Sequence, residues 1–151
     1  MTGREVKIEN DLFFVCSIIE YVGRKTKNYR FTIVEKFGDK ELSYLLEFAD
    51  ILHCEPIENI SCELIKKYNI IEGIFDNVND CIYSIPTYFD IAKVYKRLII
   101  SISKLDNLPL VKVIAEVYSS WISSKIDDYN SSMYFENPDY IFESYKEGNP
   151  L

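Results

Sequence analysis

The chain has 151 residues, a formal net charge of −7 and an aromatic-rich composition with 12 Tyr and 9 Phe. That length fits one domain able to bury roughly 70% of its unfolded surface. The acidic balance excludes a general nucleic-acid surface and docking on anionic membranes, and the scarcity of Gly and Pro, five each, disfavours disorder and turn-rich β folds.

The opening, MTGREVKIENDLFF, is charged and leads into an interrupted apolar run, so no signal peptide is expected. Residues 11–25 place Leu12, Val15, Cys16, Ile19 and Val22 on one helical stripe, with Asn10 or Asp11 as cap. After the break at TKNYR, residues 31–38 read as a short helix stopped by Gly38. Residues 39–53 form the clearest amphipathic helix, with Leu42, Leu45, Leu46, Ala49 and Leu52 at spacings of three and four. Pro56 opens a fourth helix, whose end carries Lys66 and Lys67 in accord with the helix dipole.

Residues 69–86 break the pattern with Asn, Asp, Gly and Pro between short apolar pieces. Their Ile and Phe residues predict a connector packed down on the protein. Thr87 and Asp90 then have capping-box spacing, and the helix YFDIAKVYKRLIISISK follows. Asn107 and Pro109 start a long helix over 108–129, and Asn137 with Pro138 starts a short one that ends at Gly148. The sum is an all-α, single-domain helical bundle of six to seven helices. It divides into a subgroup at 11–69, a connector at 70–86 and a subgroup at 87–147.

Chemical motifs are sparse. The four cysteines, Cys16, Cys54, Cys62 and Cys81, form no CxxC pair and read as buried free thiols of a cytoplasmic protein. His53, the sole histidine, and Cys54 point about 100° apart on a helix, so they make no nucleophile–base pair. No paired metal-ligand spacing or glycine-rich phosphate loop occurs, so no metal or cofactor is expected. The basic groups Arg24, Lys25, Lys27, Arg30 and Lys93, Lys96, Arg97 read as solvated helix ends.

Residues 127–145, DDYNSSMYFENPDYIFESY, hold six aromatic side chains and five acids with no Lys or Arg. Tyr140 and Phe142 lie about 200° apart on a helical wheel, so the rings cannot all face one side. Two readings remain open: a cap on the core, or a docking surface for a basic partner. In the second, Tyr129, Tyr134, Phe135, Tyr140 and Tyr145 supply anchors, and Glu136, Asp139 and Glu143 supply the charged surround.

The stretches LFFVCSIIEY, VEKFG, LLEFADILH and ENISCELI within residues 12–65, with Cys16, Glu20, Tyr21, Leu52 and His53, resemble a small uncharacterised helical family found mainly in Firmicutes. Members are often encoded beside a protein with an ADP-ribosyltransferase-like fold. The resemblance implies a toxin–antitoxin arrangement and a partner of that kind. Together with the acidic balance it predicts a non-catalytic protein-binding module, antitoxin-like or immunity-like. The alternatives are a phage or mobile-element regulator acting by acidic mimicry, and an enzyme using Asp127 and Asp128 with Tyr129 and Lys125.

Overall fold

A computed structural model describes residues 3–151. Among these residues the chain is all-α, with eight α-helices, one 3-10 turn and no strand. The first helix, α1 (Gly3–Thr26), buries Leu12, Val15, Cys16, Ile19 and Val22, the stripe that the periodicity marks out. It starts eight residues before the expected position. Its first two turns are largely exposed and charged, supported by an i,i+4 pair between Lys7 and Asp11 at 2.7 Å. Apolar spacing carries no signal for turns that bury nothing.

Next, α2 (Arg30–Glu47) is kinked at Gly38, whose φ of 71° is the left-handed conformation that glycine adopts without strain. The expected stop there is thus a bend between two helical segments. The amphipathic helix after it breaks once more at Phe48, giving α3 (Ala49–Leu52). Pro56 is the residue before α4 (Ile57–Lys67), whose last turn carries Lys66 and Lys67.

In α5 (Tyr88–Asp106) the capping box forms: Thr87 Oγ1 accepts from the Asp90 amide at 3.1 Å, and Asp90 Oδ2 accepts from the Thr87 amide at 3.0 Å. The long helix expected over 108–129 is two helices, α6 (Leu110–Tyr118) and α7 (Trp121–Ile126). Ser119 and Ser120 divide them by turning their hydroxyls onto the carbonyls of Ala115 and Val117, at 2.6 and 2.7 Å. A 3-10 turn at Met133–Phe135 leads to α8 (Pro138–Glu147), capped by the Asn137 side chain and closed by left-handed Gly148.

One buried cluster runs through both halves of the sequence, from Leu12 to Ile141. Within it α1 packs along α5 and α2, α2 on α6, and α8 on α5. The connector between α4 and α5 is held down through its backbone more than through its apolar side chains. Its backbone is pinned: the Gly73 and Phe75 amides donate to the carbonyls of Thr26 and Lys27, both at 2.8 Å, and the Asn28 side chain holds the Ile71 carbonyl. Only Ile70, Asn77 and Pro86 are buried there, while Ile71, Ile74, Ile82, Tyr83 and Ile85 point outward. Of the cysteines, Cys16 alone is buried; Cys54 is exposed, and Cys62 and Cys81 are half-buried.

Candidate functional site

Six segments converge on a closed polar network inside the bundle. Arg30, at the start of α2, is wholly buried and donates from Nε to Glu20 Oε1 of α1 at 3.2 Å. Its other nitrogens reach the Asn28 carbonyl at 2.9 Å and Asn77 Oδ1 of the connector at 3.4 Å. Glu20 Oε2 accepts from the Tyr118 hydroxyl of α6 at 3.2 Å. The Tyr118 ring stacks on Tyr95 of α5 with centroids 4.0 Å apart. The Tyr95 hydroxyl donates to Asp127 Oδ1, just beyond α7, at 2.7 Å, and Ser123 donates to Oδ2 at 3.3 Å. Asn77 Nδ2 closes the circuit on the Asp127 carbonyl at 3.0 Å.

The network contains two buried carboxylates, Glu20 and Asp127, and one buried guanidinium. Burial disfavours the charged form of each acid, and the nearby Asp127 adds to the effect on Glu20. Against the opposing pull of Arg30, the Glu20 carboxyl is pushed up to about 7, and Asp127 is also raised. Both carboxyls therefore titrate above the ordinary carboxylate range. Arg30 stays charged, since Glu20 and Asp127 outweigh the burial that opposes it. Burial also lifts the hydroxyls of Tyr95 and Tyr118 well above their usual value.

A cavity of about 320 Å³ opens above this network. Its buried floor is Asn77, Tyr118, Ser123, Asp127 and Tyr129. Its exposed rim includes Asp80, Asp128, Asn130, Ser124 and the rings of Tyr29 and Phe31. No Lys, Arg or His lines it, while three Asp do. Phe75 forms part of the wall, sandwiched between Tyr29, at 4.4 Å, and the Arg30 guanidinium, at 5.8 Å.

The residues expected on an aromatic docking surface are dispersed. Tyr129 is 2% exposed, a core ring bonded through its hydroxyl to Arg24 at 3.1 Å, and is no outward anchor. Tyr134, Tyr140 and Tyr145 are half-buried and pack against the core, as does Phe142. The inner stripe of α8 is Ile141 and Ser144, and its rings flank that stripe on either side. Phe135 is the one anchor that stands out, 66% exposed. Asp139 and Glu143 are exposed, Glu136 is half-buried, and Glu143 pairs with Lys146 at 3.0 Å. Most of this stretch therefore caps the core.

Asp127 and Asp128 do meet at one cavity, with Tyr129 beside them; Lys125 is not among its lining residues. The basic groups near the end of α1 are not all solvated. Arg30 lies inside the core, Arg24 bridges the Pro86 carbonyl and the Tyr129 hydroxyl, and Lys27 pairs with Glu72 and Asp76. His53 caps the end of α3, its Nδ1 3.1 Å from the Ala49 carbonyl, beside a separate cavity between α1, α3 and Phe89. Among the described residues no group of three or more His, Cys, Asp and Glu is placed to hold a metal ion. None of their helices is long and apolar enough to cross a membrane.

The network escaped sequence reasoning because most of its bonds join residues 10 to 98 apart in the chain. One signal was present. Glu20 falls one turn after Cys16, inside an otherwise apolar stripe, and a carboxylate placed there needs a buried cationic partner. Compared with protein-family models, curated proteins and solved structures, the chain matches none.

Proposed function

We propose that the chain is a non-catalytic protein-binding module, an antitoxin-like or immunity-like neutraliser of a basic partner protein. The observation that carries this reading is the connector. Ile74 is 96% exposed, Ile82 77% and Ile71 74%, on a backbone pinned at residues 71–75 by hydrogen bonds to Thr26, Lys27 and Asn28 and at Ile82 by one to Asn130 Oδ1. Aliphatic groups held outward in this way leave apolar surface uncovered, and such surface marks docking sites. Glu72, Asp76 and Asp80 are interleaved with them, and the whole chain carries −7. Acids around an apolar centre speed and orient the approach of a basic protein. Exposed Phe135, with Glu136, Asp139 and Glu143 near it in sequence, offers the same pairing of apolar group and acids.

Co-expression with the product of the adjacent gene is the test. A neutraliser co-purifies with that product and relieves its toxicity, and Ile74→Asp weakens both effects. A neighbour that is harmless alone and does not co-purify ends this reading. The resemblance at residues 12–65 names a partner with an ADP-ribosyltransferase-like fold as the first to try.

A second reading, an enzyme using Asp127 and Asp128, has the cavity in its favour. The acids there would act with serine and tyrosine hydroxyls and asparagine amides, since no His, Cys or Lys lines the space. An activity lost on Asp128→Asn would favour it over the binding module.

A further inference from the structure

The cavity above the buried network lacks a cation. Asp127 is 5% exposed and receives two hydroxyl hydrogen bonds, from Tyr95 and Ser123, yet among the described residues it makes no ion pair. The buried guanidinium of Arg30 attracts Asp127 through space, but its hydrogen bonds go to Glu20, the Asn28 carbonyl and Asn77. Two more carboxylates, Asp80 and Asp128, stand at the mouth. The wall between floor and rim is aromatic, with Tyr29 stacked between Phe31 and Phe75. Three acids, no base and ring surfaces in one concave site are complementary to a planar organic cation and repel any anion.

We propose that this cavity receives an arginine side chain presented by the basic partner protein. The inference rests on the protein-binding reading above, and it supplies that reading with a specificity contact. A guanidinium suits the site better than an ammonium. Its planar face stacks on aromatic rings, and its five N–H donors suit the carboxylates and serine hydroxyls that line the cavity. Arg30 already lies over Phe75 from within, at 5.8 Å. The cavity's 320 Å³ is at the small end of the range for ligand sites, about 300–1,000 Å³, which fits one side chain rather than a large cofactor. The connector supplies Phe75, Asn77 and Asp80 to the lining, so a partner engaging the outward isoleucines is brought close to the mouth.

The test uses Nα-acetylarginine methylamide as probe and backbone amide shifts of the full chain as readout. The proposal expects saturable shifts at Asn77, Ser123, Asp127 and Asp128, with an affinity on the order of 1 mM for so small a ligand. The acetylnorleucine analogue should leave these amides unmoved, and the acetyllysine-free-amine analogue, Nα-acetyllysine methylamide, should bind more weakly. Asp127→Asn should weaken binding roughly tenfold or more. Because Asp127 belongs to the buried network, two exposed rim variants accompany it. Asp128→Asn should weaken binding several-fold, and Ser124→Phe should block the cavity. Equal binding of the norleucine analogue, or unchanged affinity in all three variants, overturns the proposal. Probe binding without any co-purifying partner leaves the arginine site standing and removes the neutraliser reading. A partner that binds the three variants as tightly as the parent chain removes the arginine site and leaves the protein-binding reading intact.

Discussion

Arg30→Met removes the one guanidinium at the centre of the bundle while keeping much of its stem volume. The loss is three hydrogen bonds, to Glu20, the Asn28 carbonyl and Asn77. Removing one partner of a buried ion pair typically costs about 3–5 kcal/mol, because the other charge stays behind unpaired. Here the remaining acid can escape part of that cost by taking up a proton, so the penalty depends on pH. In the parent chain Glu20 is pushed up to about 7 by burial, against an ordinary 4.5, and Arg30 opposes that rise. Without Arg30 the folded-state value climbs further. An acid with a raised folded value contributes stability that is complete below about pH 4.5 and lost as pH climbs through the folded value. The variant's deficit is therefore smallest near pH 5, where Glu20 is protonated in the folded parent as well, and reaches about 3–5 kcal/mol at pH 8. Urea denaturation at the two pH values, with the slopes compared to confirm similar unfolded states, measures it. A deficit below about 1 kcal/mol at pH 8, or the same deficit at both pH values, refutes this account of the network. Adding Glu20→Gln to Arg30→Met should recover part of the loss at pH 8, since it removes the stranded charge.

Gly23→Ala should destabilise the protein by about 1–3 kcal/mol despite the better helix propensity of alanine: the new methyl collides with Arg30 Cδ and comes within 2.8 Å of Nε, and Arg30 is held by its ion pair; thermal unfolding reads this out. Raising the pH from about 4.5 to 7 should cost the parent about 3 kcal/mol through Glu20 alone, measured as the difference in pH dependence between the parent and Glu20→Gln; parallel curves argue against a raised Glu20. Ile74→Asp, at a fully exposed position, should change stability by less than about 0.5 kcal/mol and weaken partner binding at least tenfold by calorimetry; unaltered binding removes the connector from the interface. A chain ended at Ser132 loses buried Met133 and Ile141 and four half-buried rings. Each fully buried side chain contributes about 1.5–3 kcal/mol, so this loss rivals the whole stability of a small domain, about 5–15 kcal/mol. The truncated chain should lack a cooperative unfolding transition, and a sharp one shows that residues 133–151 are dispensable to the core.

The all-α class followed from local rules, and those rules operate within one or two turns of chain. The stripe of Leu12, Val15, Cys16, Ile19 and Val22 is buried as its spacing requires, and Thr87 with Asp90 caps α5 because both partners lie three residues apart. Pro138 after Asn137 opens α8 for the same reason. Local rules were silent where burial was absent, as in the charged first turns of α1, and where a side chain competed with the helix, as at Ser119 and Ser120. They were also silent on direction: Ile71, Ile74, Ile82 and Ile85 of the connector were expected to pack down and face outward, whereas Tyr129, open to both a core and a surface reading, is core. The site itself belongs to tertiary structure alone. Arg30 and Asp127 each look like a solvated charge on its own segment, and Glu20, though set in an apolar stripe, does not name its partner. Only the packing of α1 against α2 and α5 removes them from water together, and burial turns three ordinary side chains into one network with raised carboxyls beneath an acidic cavity.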